Sequence, residues 1–318
     1  MVAITTGAVI ILILIGSLVR MTDSGMGCPD WPKCFGQIIP PTDVSQLPAD
    51  YQTLFAVAGR EIAEFDAFKT WVEYLNRLFG VLVGLCAVIV LGLSLGLRKI
   101  DTGLVWISLA SLLLIVLEGG IGAYVVMTHL ETSAITIHMV VALGILACYL
   151  WAITRNGRGQ ISEVWVATPV AQDWWATMVL LGLIVSQIVM GTQVREQIDL
   201  LHSTEVARSE WISLLKSPYG IHKFSHYAIM AAMAFVTWRL WPKADALGRK
   251  MLLVSISLIG AEVLMGLGMH HLSVPKMLQP LHLLFAALLF SSQFVLMRWT
   301  WIGMRQQKNV QQPLVHGH

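Results

Sequence analysis

Eight times along its length the chain runs apolar for about the thickness of a lipid bilayer, and that repetition limits what it can become. A helix needs about 20 mostly apolar residues to cross the hydrocarbon core. Within lipid every backbone polar group must be satisfied inside the structure, which leaves helices or closed barrels. Runs of helical length fall at 2–20, 72–97, 103–127, 134–153, 174–194, 219–241, 249–269 and 277–301. The expectation is an all-α membrane protein with eight transmembrane helices. Composition agrees: of 318 residues, 56% are hydrophobic and 13% charged, where a soluble domain carries about 25% charged residues. The first run lacks the basic n-region and A-x-A site of a signal peptide and is read as a retained span. Pro275 and Pro280 suit the start of the last span or a kink in it. With no glycine-rich phosphate loop and no basic patch interleaved with aromatics, nucleotide and nucleic-acid partners are excluded.

Lys and Arg in short loops set the orientation. Arg98 and Lys99 lie between spans two and three, Arg155 and Arg158 between four and five, and Arg239, Lys243, Arg249 and Lys250 around the turn between six and seven. Arg305 and Lys308 follow span eight. All share one side if both termini are cytoplasmic. The long 21–70 loop is instead acidic, with Asp23, Asp30, Asp43, Asp50, Glu61, Glu64 and Asp66. The topology is therefore N-in, C-in.

The chain also repeats itself. Gly16-Ser-Leu-Val-Arg20 ends span one and Gly191-Thr-Gln-Val-Arg195 ends span five. Asn76-Arg77 opens span two as His222-Lys223 opens span six. Glu118 and Glu262 each precede a glycine by four residues, and His138 and His282 each follow those glutamates by 20. Two pseudo-symmetric four-helix bundles explain the set: an N-terminal half, 1–155, elaborated by the 21–70 loop, and a C-terminal half, 172–301, followed by a polar tail, 302–318.

Polar groups inside spans are costly unless paired or used. The stretch Thr70–Gly80, T-W-V-E-Y-L-N-R-L-F-G, puts Glu73 and Asn76 on one helix face at the mouth of span two. His138, His222 and His282 each lie a few residues inside an even-numbered span, hence at one depth toward the outer side. Facing imidazoles in a helix bundle hold a low-spin haem iron, whereas copper or zinc asks for further Cys, His or carboxylate ligands. His222 and His282 thus read as a haem site in the second half, beside the plainer reading of each histidine as a packing residue. In the first half Asn76 stands where the repeat has His222. Asparagine is a poor iron ligand, so His138 alone leaves one coordination position open, as a reacting haem requires.

The neighbouring groups each carry two readings. Glu73 is a general base or cation-stabilising carboxylate beside that haem, or an interfacial carboxylate favoured by the helix dipole. Arg77 and Lys223, like Arg20 and Arg195, meet haem propionates or snorkel to the outer interface. His226, one turn deeper than His222, hydrogen-bonds in the core or to a haem edge. Glu118 and Glu262 make polar contacts between helices or handle protons. Cys28 and Cys34, in the outer segment S-G-M-G-C-P-D-W-P-K-C-F-G, read as a disulfide, since the outside is oxidising. Cys86 and Cys148 read as packing residues. His129, His202, His270 and His271 are expected to be solvated, and His316 and His318 to lie in a disordered tail.

The S-G-x-G-C-P-D-W-P-x-C segment, the E-x-x-x-R start of span two and the matched histidines of spans four, six and eight resemble the heme A synthase family, over roughly 1–301. The resemblance implies an oxidoreductase with two pseudo-symmetric halves that oxidises the C8 methyl of heme O to the formyl group of heme A, for terminal oxidases. It implies that His222 and His282 ligate a resident haem b, that His138 faces the substrate haem iron, that Glu73 is the catalytic carboxylate, and that Cys28 and Cys34 are the paired loop cysteines. Asn76 departs from the histidine many members carry there. The implied setting is the bacterial cytoplasmic membrane, with haem sites toward the outer side. Implied partners are heme O, heme A, lipid and an electron acceptor, a quinone among the candidates. The heme O-producing enzyme and a second copy of the chain are further partners to consider. The rival functions are a diheme cytochrome relaying electrons to quinone, which needs both irons ligated, and a transporter of a haem-like molecule, suggested by the duplicated halves.

Overall fold

The computed structural model describes residues 1–155, 169–202, 204 and 206–311, the side chains of 308–311 aside. Arg158, His316 and His318 lie outside these residues. In chain order the helices are α1 (Val2–Met21), α2 (Tyr51–Leu54), α3 (Ala67–Gly96), α4 (Thr102–Met127), α5 (Thr132–Ile153), α6 (Ala171–His202), α7 (Trp211–Leu214), α8 (Ser217–Leu240), α9 (Ala246–His271) and α10 (Leu278–Gln311). Among the described residues no strand forms, only two isolated antiparallel bridges, Cys34 with Gln37 and Val57 with Arg60.

Among the described residues seven helices are long and apolar enough to cross a membrane: α1, α3, α4, α5, α6, α9 and α10. The expected sixth span corresponds to α8. It has the length, 24 residues, but is not among the seven. His222, Lys223, Ser225, His226 and Arg239 dilute its apolar residues. Asp66, Asp101 and Asp245 cap α3, α4 and α9 by accepting the N–H of Lys69, Leu104 and Gly248. Each such cap is worth about 1 kcal/mol.

Two helix ends depart from the sequence reading. Span five was expected to end at 194, yet α6 continues to His202. Arg195 and Asp199 pair at 2.7 Å one turn apart along it, so the expected loop begins as helix, since a polar, ion-paired turn extends a helix beyond its apolar part. Likewise α10 carries past 301 to Gln311, making the start of the expected tail helical.

The chain divides into two compact units, Met1–Tyr149 with Lys276–Leu284, and Leu150–Pro275 with Phe285–His318. His282 thus falls with the first unit and His222 with the second. In the first, α3 packs against α1 and α4. Its long loop has a small core of its own, in which Cys28, Cys34, Phe35, Tyr51, Val57 and Ile62 are buried. Phe35 meets Tyr51, Phe55 and Phe65 edge-on, and the Tyr51 hydroxyl accepts the Phe65 N–H at 2.9 Å.

In the second unit α6 packs on α8, and α8 on α9. Asp173, 0% exposed, fastens the start of α6 to the end of α8. It accepts Arg239 Nε at 2.8 Å, Lys243 Nζ, and the Val170 N–H at 2.9 Å. A buried carboxylate is tolerated only with such complete pairing.

Candidate functional site

The start of α3 is a closely bonded polar region of the first unit. Glu73 is 4% exposed and uses both carboxylate oxygens: Oε2 accepts the Cys28 N–H at 2.8 Å and Oε1 accepts Arg77 Nη2 at 2.5 Å. Arg77 lies one turn further along. Its Nη2 also donates to the Cys28 carbonyl at 2.7 Å, and its Nη1 to the carbonyls of Asp30 at 2.6 Å and Lys33 at 3.1 Å. The guanidinium fork therefore faces the loop, a use that neither expectation for Arg77, propionate or interface, had covered.

The loop reaches α3 because Gly27 lets it. A Cβ at Gly27 would lie 2.4 Å from the Lys69 carbonyl oxygen and 2.8 Å from the Thr70 nitrogen, so the two backbones touch. Thr70 Oγ1 donates to the Gly27 carbonyl at 2.9 Å. Cys28 and Cys34 are joined as a disulfide with Cα atoms 4.8 Å apart. Asp30 folds the segment between them by accepting the N–H groups of Phe35 at 2.5 Å and Gly36 at 2.8 Å.

Asn76 follows Glu73 on the same face of α3. Its Oδ1 is buried and accepts no hydrogen bond among the described residues. His138, on α5, keeps 41% of its side chain exposed, with Nδ1 3.2 Å from Glu118 Oε1 on α4. Its Cε1 lies 3.5 Å from where a Cβ on Gly122 would stand. Glu118 Oε2 is a second buried acceptor without a partner among the described residues. The His138 Nδ1 makes no hydrogen bond among the described residues, and an unengaged imidazole nitrogen, with buried acceptors also left over, is a set that suits an iron-centred ligand.

In the second unit His222 lies against α6, its Cε1 3.4 Å from the Cβ position of Gly191. Gln187 braces that turn of α8: its Nε2 donates to the His222 carbonyl at 2.9 Å, and its Oε1 accepts the Ser225 hydroxyl. His226 Nδ1 donates to the Lys223 carbonyl, and its ring lies 4.0 Å from that of Tyr227. Lys223, His282 and Glu262 are half-buried. Glycine beside an imidazole thus recurs at His138 and His222, on α4 and α6.

Two groups escaped the sequence reading. His270, expected to be solvated, sits in the last turn of α9, stacked on Tyr219 with Nδ1 2.6 Å from its hydroxyl. Tyr219 stands one turn before His222, the signal that was available. Gln187 was the other, an amide alone in the apolar middle of α6.

A profile of the COX15-CtaA family, described as cytochrome oxidase assembly protein, matches residues 1–294. A heme A synthase of Shewanella oneidensis is 27% identical over 190 residues, 59% of this chain and 54% of that protein. One of Hyphomonas neptunium is 32% identical over 197 residues, 58% of this chain and 54% of that protein. One of Cereibacter sphaeroides is 28% identical over 274 residues, 72% and 68% of the two chains. The chain spans about half the length of the first two relatives it matches.

Proposed function

The chain belongs to the COX15-CtaA family of cytochrome oxidase assembly proteins, and from that premise we propose that it is a heme A synthase, an integral membrane enzyme that oxidises the C8 methyl of heme O to a formyl group. The observation that carries this reading is the family match along 1–294, together with relatives that bear that name. The geometry at the start of α3 supports it.

Heme O is substrate here, taken by the half that holds Glu73, Asn76 and His138. His138 offers its imidazole to the substrate iron, with Glu118 of α4 close by. Glu73 accepts a proton, or stabilises positive charge developing at the methyl carbon. Its two donors, the Cys28 N–H and Arg77, fix the carboxylate in place beforehand, so that no reorganisation accompanies the step. Asn76 places a neutral carbonyl oxygen beside it in place of a second iron ligand.

A resident haem b would be held by His222 and His282, where it supplies one-electron transfer. The pairing of these two histidines rests on the sequence repeat, and the fit of His222 on the glycine cradle at Gly191. Eight spans in two four-helix halves, 1–155 and 172–301, with both termini cytoplasmic and haem sites toward the outer side of the bacterial cytoplasmic membrane, complete the reading.

The test is expression in a host that makes heme O but no heme A, followed by extraction of the haems and mass spectrometry. Heme A is expected. A folded, haem-loaded protein that yields only heme O would overturn the assignment. Glu73→Ala is expected to keep its haem and give little or no product; normal turnover would leave Glu73 only its role as an anchor for the loop.

A further inference from the structure

A line of arginines and tryptophans in the second unit takes no part in the site described above. On α10, Arg298, Trp301 and Arg305 stand three and four residues apart, one stripe of the helix. At the end of α5, Trp151 and Arg155 stand four apart. The guanidinium carbons of Arg155 and Arg298 lie 4.6 and 5.0 Å from the centre of the Trp151 ring. Those of Arg298 and Arg305 lie 4.9 and 4.0 Å from the centre of Trp301. The five side chains alternate: Arg155, Trp151, Arg298, Trp301, Arg305. Their two stretches are remote in sequence, so no basic patch interleaved with aromatics was legible there.

Within this ladder the charges of Arg298 and Arg305 stand apart. Arg298 is 7% exposed, and its Nε donates to Thr154 Oγ1 at 3.4 Å. Among the described residues no carboxylate pairs with Arg298 or Arg305. Stacking on indole faces returns only part of what it costs to take a guanidinium out of water, and neighbouring guanidinium groups repel each other. Arg298 and Arg305 therefore offer positive charge that an anion would balance.

We propose that the ladder binds the phosphate of an anionic phospholipid headgroup. Guanidinium forks match phosphate oxygens in a bidentate manner. Over Leu278–Gln307, α10 is long and apolar enough to cross a membrane, and its polar run begins at Arg305, so exposed Arg305 and half-buried Trp301 stand where a membrane-length helix turns polar and basic and indole side chains mark the lipid–water boundary. Basic pockets between helices at that depth take anionic headgroups. The competing role is purely internal, with the arginines neutralising the carbonyl end of α5; it predicts no dependence on lipid.

The experiment uses the full chain in nanodiscs of phosphatidylcholine alone, of phosphatidylcholine mixed with phosphatidylglycerol, and of phosphatidylcholine with added inorganic phosphate. Retained lipid is read by native mass spectrometry and stability by thermal melting. Phosphatidylglycerol is expected to be retained preferentially and to raise the melting temperature. Arg305→Gln, at an exposed position, should lower its retention about fivefold, the effect of one basic side chain at a membrane surface. Arg298→Lys, which keeps the charge but loses the fork and the stacking, should also lower it. Arg98→Gln, in the exposed turn between α3 and α4, should change nothing. Equal retention of the two lipids would overturn the proposal. So would a melting shift reproduced by phosphate alone, or equal losses in the Arg98 and Arg305 variants.

Discussion

Glu73 and Arg77 show how one residue's role depends on another's. A carboxylate 4% exposed is tolerable because a guanidinium and a backbone N–H meet it, and removing one partner of a buried ion pair costs about 3–5 kcal/mol. Arg77→Ala should therefore destabilise the protein by that order, leaving Glu73 and the carbonyls of Cys28, Asp30 and Lys33 without their donor. The double variant Glu73→Ala/Arg77→Ala should recover part of the loss, because no charge is then stranded. Thermal melts of the two variants check this; a double variant no more stable than Arg77→Ala would mean the pair is not coupled. Gly27 is constrained differently. Its substitution by Ala puts a methyl 2.4 Å from the Lys69 carbonyl oxygen, a backbone contact that no rotamer relieves. Gly27→Ala is expected to lift the disulfide loop from α3, seen as faster proteolysis within the loop, whereas Gly16→Ala, with open space around it, should not.

At the scale of elements, α6 and α8 pack directly on each other in the second unit. Gly191 gives the His222 ring its room, and Gln187 holds the His222 carbonyl. The 3.4 Å between the Gly191 Cβ position and His222 Cε1 is ordinary contact, so Gly191→Ala should be mild. Gly191→Leu should push the ring aside and broaden or shift the absorption bands of the bound haem. Equal spectra from the two variants would separate His222 from the haem.

The existence of the long helices was legible because lipid demands an unbroken apolar run, and seven of the eight expected spans meet that demand in the structure. Their ends were not, because Arg195–Asp199 and the turns after 301 continue a helix with polar residues that hydropathy reads as loop. Within the candidate site, residue types were legible and partners were not. That Arg77 turns to loop carbonyls depends on a fold-back of more than 40 residues, and local periodicity carries no information about it. Asp173 was invisible for the same reason, its partners Arg239 and Lys243 lying at the other end of α8.

For the molecule as a whole, the internal repeat makes a demand that no single site makes. If Asn76 stands for His222, and His138 for His282, the two halves differ in one ligand, and that difference divides a reacting haem from a relaying one. His222→Ala and His282→Ala should each abolish the low-spin b-type spectrum of the purified protein, since either change removes one of the two imidazoles that would hold the haem. Asn76→Ala should leave that spectrum intact, because Asn76 is assigned to the other half. It should also change the substrate haem little, as the iron there has His138 alone. The readout is optical and paramagnetic and does not depend on turnover, so a failure of catalysis for other reasons leaves it interpretable. Loss of the low-spin signal in Asn76→Ala would reverse the roles of the two halves. Retention of that signal in His222→Ala would remove the histidine pair from the haem and with it the functional meaning of the repeat.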